Sequence, residues 1–229
     1  MKYYQVEVSA EPKVIGVTNG VCQLKINNLD IEKDDKFQSL INFFSMYNKE
    51  LWGNQAIIAD FKIPIIKGKL LKKAKLTDIM GYGQEIPFLY EVYSAKYIDV
   101  LKSFNTRILN TFEVAIEAVK EQYYLLFVEA VILEEINFVN SIFRTGYEVL
   151  NNLQLHTVND YEEYLKFNKQ YPLAKFKQVS VPAKYCNQDI ICIPYQTPFY
   201  SENLISALLK ENIKGLEIRY DNSVKLEFC

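Results

Sequence analysis

Among 229 residues there is a single histidine, His156, the side-chain type whose unperturbed proton exchange falls near neutral pH. It stands in Leu153-Gln154-Leu155-His156-Thr157, with no acid, cysteine or second histidine beside it at helical or strand spacing. A metal centre needs several ligands and a nucleophilic triad needs an orienting acid, so neither is expected from His156. The four cysteines, Cys22, Cys186, Cys192 and Cys229, lack the two-residue gap of a zinc knuckle or redox pair. Reduced thiols without bound metal are expected. Acids occur in pairs, Asp34-Asp35, Glu134-Glu135 and Glu162-Glu163. Adjacent residues on a helix point to different sides, so these read as solvated faces and not as the opposed carboxylates of a hydrolase. Gly81-Tyr82-Gly83 reads as a loop that lacks the third glycine and the following helix of a phosphate cradle. Flanked by Asp78 and Glu85, it is where the pocket of an enzyme or small-ligand-binding protein would be sought. No catalytic residue, cofactor or metal is assigned.

Composition narrows the partners. The formal net charge is −2, which argues against a protein that grips phosphate backbones. The basic stretch Lys67, Lys69, Lys72, Lys73 and Lys75 has no interleaved aromatic and reads as a solvated strand-and-loop face. Aromatic residues reach 14%, with 17 tyrosines, a composition that suits strands and also protein interfaces. The segment Met1 to Glu7 lacks the apolar core of a signal peptide, and Tyr123 to Leu133 is broken by Glu129 and too short for a bilayer. A cytoplasmic protein, neither secreted by the usual route nor embedded, is expected.

The elements that would hold such residues follow from periodicity. Strands are expected at Tyr3–Val8, at Val14–Val17 and Val21–Ile26 as a hairpin around Thr18-Asn19-Gly20, at Ala56–Ile66 as far as Pro64 allows, and at Tyr123–Leu133, Phe176–Val181 and Asp189–Ile193. Leu216–Tyr220 and Val224–Phe228 read as a closing strand pair. Helices are expected over Asp34–Tyr47, with Phe37, Leu40, Ile41 and Phe44 on one face, over Ser94–Asn105 and Ser201–Asn212, and over Asp160–Lys169; Ala115–Glu121 also fits a helix. The fold class is α+β, with mixed, largely antiparallel sheets and a few amphipathic helices. Residues 1–70 form a strand-rich part with one helix, and 71–229 the remainder of one compact domain.

The two best helices share their flanks. Ile86-Pro87 precedes Tyr93-Ser94 by the same gap that separates Ile193-Pro194 from Tyr200-Ser201, and aligning the serines also matches Ile98 with Ile205, Leu101 with Leu208 and Asn105 with Asn212. The chain therefore contains a duplicated strand, Ser-capped helix and strand, at about 86–109 and 193–216.

Four blocks in this order carry a family resemblance: Ala74-Lys75-Leu76-Thr77-Asp78-Ile79; Tyr93-Ser94 with Ile98 and Leu101; Tyr123-Tyr124-Leu125-Leu126-Phe127-Val128; and Tyr200-Ser201-Glu202-Asn203-Leu204 through Ile213-Lys214-Gly215-Leu216-Glu217-Ile218. Across roughly 70–228 the chain resembles the immunity-protein family of bacterial polymorphic toxin and contact-dependent competition systems, long catalogued as a domain of unknown function. It departs in having Ala95 where a glutamate usually follows the serine. The resemblance implies a cytoplasmic bacterial protein that neutralises a cognate toxin domain by direct binding, with no catalytic residues. By residue type, Trp52, Tyr82, Tyr161 and Tyr164 are the candidate anchors and Glu162 and Glu163 the steering charges.

Overall fold

The structure is a computed structural model describing residues 1–26, 35–44, 48–83, 86, 88–194, 196–221 and 223–229, with the side chains at 37, 40, 49 and 50 set aside. The expectations placed on Asp34, Tyr47, Glu85 and Pro87, and on the side chains of Phe37 and Leu40, lie outside the described residues. In chain order the elements are β1 (Tyr3–Val8), α1 (Pro12–Ile15), β2 (Cys22–Ile26), α2 (Asp35–Phe43), α3 (Lys49–Gly53), β3 (Ile66–Leu70), β4 (Ile79–Tyr82), β5 (Glu91–Ser94), α4 (Ala95–Leu101), β6 (Ile108–Ile116), β7 (Tyr123–Val128), β8 (Ile142–Thr145), β9 (Gln154–His156), α5 (Tyr161–Gln170), β10 (Lys175–Val181), β11 (Ile190–Ile191), β12 (Phe199–Ser201), α6 (Glu202–Lys210), β13 (Leu216–Arg219) and β14 (Lys225–Phe228). The α+β class holds, in mixed and antiparallel sheets.

Six strands close into a barrel in the order β2-β3-β6-β7-β5-β4, shut by parallel pairing of β2 with β4. The remaining strands form two sheets, β11-β12-β1-β13 and β14-β10-β8-β9. These sheets repeat the barrel. The parallel pair β3–β6 has its counterpart in β10–β14, the antiparallel pair β2–β3 in β8–β10, and the parallel closure of β2 on β4 in a lone parallel bridge between Ala130 and Cys192. The register agrees as well. Ser94 and Tyr93 face Tyr123 and Tyr124, just as Ser201 and Tyr200 face Tyr3 and Tyr4. The chain is therefore a tandem of two like halves that exchange their first strands: β1 completes the second half and β7 the first.

Why one barrel closes and the other stays open can be read from matched positions. Leu125, Phe127 and Phe112 fill the closed barrel, and their counterparts in register are Gln5, Glu7 and Arg219. A buried ion pair loses more in desolvation than it gains unless its geometry is excellent, so the side holding Glu7 and Arg219 remains open to water. The other face of each exchanged strand, Val6 and Val8 in one and Leu126 and Val128 in the other, enters a shared core with Tyr97, Leu101, Leu204, Ile205 and Leu208 of the two helices.

Each helix starts at its serine. Ser94 Oγ accepts from Tyr97 N and Ser201 Oγ from Leu204 N, both at 3.1 Å. Each hydroxyl in turn donates to an aspartate, Ser94 to Asp78 Oδ1 at 2.7 Å and Ser201 to Asp189 Oδ1 at 2.5 Å. The second carboxylate oxygen of each aspartate crosses to the other half: Asp78 Oδ2 accepts from Lys214 N at 2.8 Å and Asp189 Oδ2 from Asn105 N at 2.9 Å. Two reciprocal clamps thus tie each cap to the loop that leaves the opposite helix.

Several expectations are corrected. Val14–Val17 is not a strand: Pro12 opens one helical turn and Gly16, at φ 81°, ends it, so no hairpin forms with β2. Residues Gln55–Asp60 form a 3₁₀ turn where a strand was expected, and the strand begins at Ile66, after Pro64. Ala115–Glu121 is the end of β6 and a turn in which Ala118 has φ 62°. The last two strands do not pair with each other; β13 joins β1 and β14 joins β10. Strands from both sides of residue 70, β2 and β3 with β4 and β6, share the barrel.

Candidate functional site

The residues chosen as anchors do not come together. Tyr82 lies inside the barrel core, 3% exposed, and its hydroxyl donates to Leu89 O. Tyr164, 8% exposed, stacks on Phe138 and Phe143 at centroid distances of 5.1 and 5.5 Å. Neither can meet a partner while the protein is folded, so both assignments are corrected. Trp52 is half-buried on the barrel, edge-on to Phe88 at 5.2 Å. Tyr161 is half-buried beside Phe138 in the second half. Glu162 and Glu163 are exposed in the first turn of α5, where acids suit the helix dipole. The Glu163 carboxylate also accepts from Asn159 N, one residue before the cap, at 2.7 Å, while Asp160 accepts from Glu163 N, so both acids serve the helix start. His156 bonds Thr145 Oγ1 through Nε2 at 2.8 Å and packs on Phe167 and Tyr171.

The Gly81-Tyr82-Gly83 pocket is not where it was sought. Gly81 and Tyr82 belong to β4, and a Cβ on Gly81 would stand 2.3 Å from Val21 O, so the glycine serves close strand pairing. Asp78 is consumed by its clamp. A cleft of about 670 Å³ lies instead on the open side of the second half, lined by Glu7, Tyr90, Glu91, Gln196, Glu217 and Arg219 among others. Arg219 Nε donates to Glu7 Oε1 at 2.6 Å. Glu91 forms part of the cleft floor and touches a second void of about 40 Å³ beside Tyr93, Cys192 and Tyr200, room for a water or two. Burial raises the Glu91 carboxyl to about 7; the bond from Tyr93 Oη to Oε2, 2.9 Å, opposes the rise and the charge of Glu7 adds to it. Burial and Glu91 together push the Cys192 thiol up to about 12, so it stays protonated. Tyr97 and Tyr200 share a hydroxyl–hydroxyl bond of 2.5 Å. This network sets a carboxyl raised toward neutral pH beside the Glu7 and Glu217 carboxylates of the same cleft. Among the described residues no group of three or more His, Cys, Asp or Glu side chains is arranged to hold a metal.

The surface that stands out is apolar. Five of the twelve exposed large hydrophobic side chains among the described residues fall in one short stretch: Tyr147 at 65%, Val149 at 88%, Leu150 at 65%, Leu153 at 37% and Leu155 at 58%. They occupy the tip and outer strand of the β8–β9 hairpin. The tip is held in shape: Gly146 and Asn151 take φ 72° and 51°, a 3₁₀ turn spans Glu148–Leu150, and Asn152 Oδ1 accepts from Tyr147 N at 2.7 Å. A groove of about 380 Å³ beyond α5 continues the surface, with Tyr147, Phe167, Asn168, Leu173 and Lys175 on its walls. Leu173 is 84% exposed there. Sequence reading passed over this stretch, although turn formers at Gly146 and Asn151-Asn152 bracket its apolar residues and mark an exposed tip. No helix among the described residues is long and apolar enough to cross a membrane. No protein-family model matches the chain, and no curated protein is similar to it.

Proposed function

We propose that the protein is a non-enzymatic binding factor of the immunity type, acting in the cytoplasm of a bacterium to neutralise a cognate toxin domain by direct contact. The observation that carries this reading is the apolar surface from Tyr147 to Leu155 with Leu173 beside it. Apolar patches of this kind on a shaped, hydrogen-bonded tip mark protein-interaction sites, because leaving them in water is costly unless a partner covers them. The sequence blocks from Ala74 to Ile218 supply the toxin as partner class. The anchors then move from Trp52, Tyr82, Tyr161 and Tyr164 to Tyr147, Val149, Leu150 and Leu173.

The test is co-expression with the toxin encoded beside this gene. Wild-type protein should restore growth and co-purify with the toxin. Nanomolar binding corresponds to about 12 kcal/mol, concentrated in a few anchors that each cost about 2 kcal/mol or more when lost. Val149→Asp combined with Leu173→Asp should therefore abolish rescue while leaving the fold intact by circular dichroism. A well-folded wild type that neither rescues growth nor binds that toxin would sink the reading. A second reading, a small-ligand protein or enzyme, draws on Glu91 in the cleft. Glu91→Gln separates the two, since immunity binding at the hairpin is indifferent to it.

A further inference from the structure

From the free edge beside this surface we infer the mode of binding: an extended, acidic and apolar segment of a partner protein adds a strand to β9. The inference rests on the protein-binding reading above and names the partner's chemistry. β9 is the last strand of its sheet. Its register on β8 pairs Thr145 with Gln154 and Phe143 with His156, with Arg144 facing Leu155 between them. Asn152 N donates to Tyr147 O one step earlier, at 3.4 Å. Hydrogen-bonded and non-bonded pairs alternate along an antiparallel ladder, so Gln154 and His156 bond inward to β8. Leu153 and Leu155 consequently turn their backbone N–H and C=O groups outward, where among the described residues nothing bonds them. An unprotected edge of this sort is a template for another strand.

Charge chooses the occupant. Directly paired residues share a face, so Lys175, Arg144 and Leu155 form one row across the outer face of the sheet. Neither Lys175 nor Arg144 makes an ion pair among the described residues. Glu148 at the tip is the only acid between residues 143 and 155. A strand laid along β9 would set its apolar side chains on Leu153 and Leu155 and carry carboxylates two residues further along the same face toward Arg144, with the charge of Lys175 behind it. A second copy of this chain would bring the same cations to the same seam, which disfavours self-pairing.

The experiment follows the Leu153 and Leu155 amides by NMR while three short peptides are added to the full chain. The first reads Asp-Thr-Val-Thr-Val-Thr-Asp, so that its valines and aspartates share one face; the second replaces each aspartate by lysine, and the third is the first with every valine N-methylated. The acidic peptide should shift both amides at a concentration about tenfold below that needed for the lysine peptide, and the N-methylated one should not act. Leu155→Pro removes an outward donor at a position where edge strands tolerate proline, and should abolish the response of the remaining Leu153 amide. Leu155→Ser keeps the donor and should only weaken it. Equal response to both charged peptides, no response at all, or an unchanged response in Leu155→Pro would overturn the inference. The neighbouring toxin separates this outcome from failure of the parent reading. Toxin bound equally by wild type and Leu155→Pro refutes strand addition and leaves toxin binding standing; toxin bound by neither refutes toxin binding, with the peptides still deciding the edge. A concentration-dependent dimer in sedimentation equilibrium that Leu155→Pro dissolves would assign the edge to a second copy and refute the choice of partner.

Discussion

Replacing Glu91 by glutamine should stabilise the protein at alkaline pH and do nothing at acid pH. The carboxyl sits half-buried at the cleft floor, and burial is the largest cause of its rise from 4.5 to about 7. A carboxyl raised on folding favours the folded state while it is protonated, so its contribution is whole below about pH 4.5. It is lost as the pH climbs through about 7, where the folded state must ionise a group that water no longer solvates well. At about 1.4 kcal/mol per pH unit the window amounts to about 3 kcal/mol. Solvent reaching the carboxyl from the cleft screens part of this, leaving about 2 kcal/mol. Glutamine keeps the acceptor for the Tyr93 hydroxyl and carries no charge, so the swap isolates the ionisation cost. Urea unfolding of both proteins at pH 4.5 and pH 8 gives the comparison. The variant should match wild type at the lower pH and exceed it by about 2 kcal/mol at the higher. Comparison within one pH cancels the titration of every other acid. Equal differences at the two pH values, or a variant less stable than wild type at pH 8, would show that Glu91 is ionised and well solvated in the folded protein.

The reciprocal clamps make Ser94→Ala and Ser201→Ala nearly equivalent. Each loses a helix cap and strands an aspartate oxygen, about 2–3 kcal/mol by urea unfolding, and unequal losses would deny the two serines a common role. Gly81→Ala should destabilise by several kcal/mol, measured as a fall in melting temperature, because the new Cβ meets backbone at Val21 O and not a movable side chain. A neutral result would return Gly81 to an open loop.

The parts of the fold legible in the sequence are those decided locally. A serine at an N-cap followed by an apolar stripe specifies α4 and α6 within about one turn of chain, and Asp160 does the same for α5. The tandem itself showed through in the matched Tyr-Ser pairs for that reason. What the sequence hid is the choice of strand partner. Tyr3-Tyr4 and Tyr123-Tyr124 are visible as a repeated pair only once their register against Ser201 and Ser94 is known, because pairing is fixed by contacts far apart in the chain. The same gap misled the site. Tyr82 and Tyr164 were chosen for their type, yet a tyrosine fills a core as readily as an interface when its hydroxyl finds a partner, as that of Tyr82 does at Leu89 O.

Exposure is a property of the assembled sheets, and the tandem explains where it falls. In the first half the β2–β3–β6 side is closed into the barrel by β4. In the second half the matching closure is reduced to the one bridge at Ala130, and the sheet runs on from β8 into β9, a strand without a match among the described residues of the first half. The half that lacks barrel closure carries the free edge and the apolar tip. An unpaired edge strand contributes little to the stability of its own sheet, so the proposed docking site falls where strand addition would disturb the fold least.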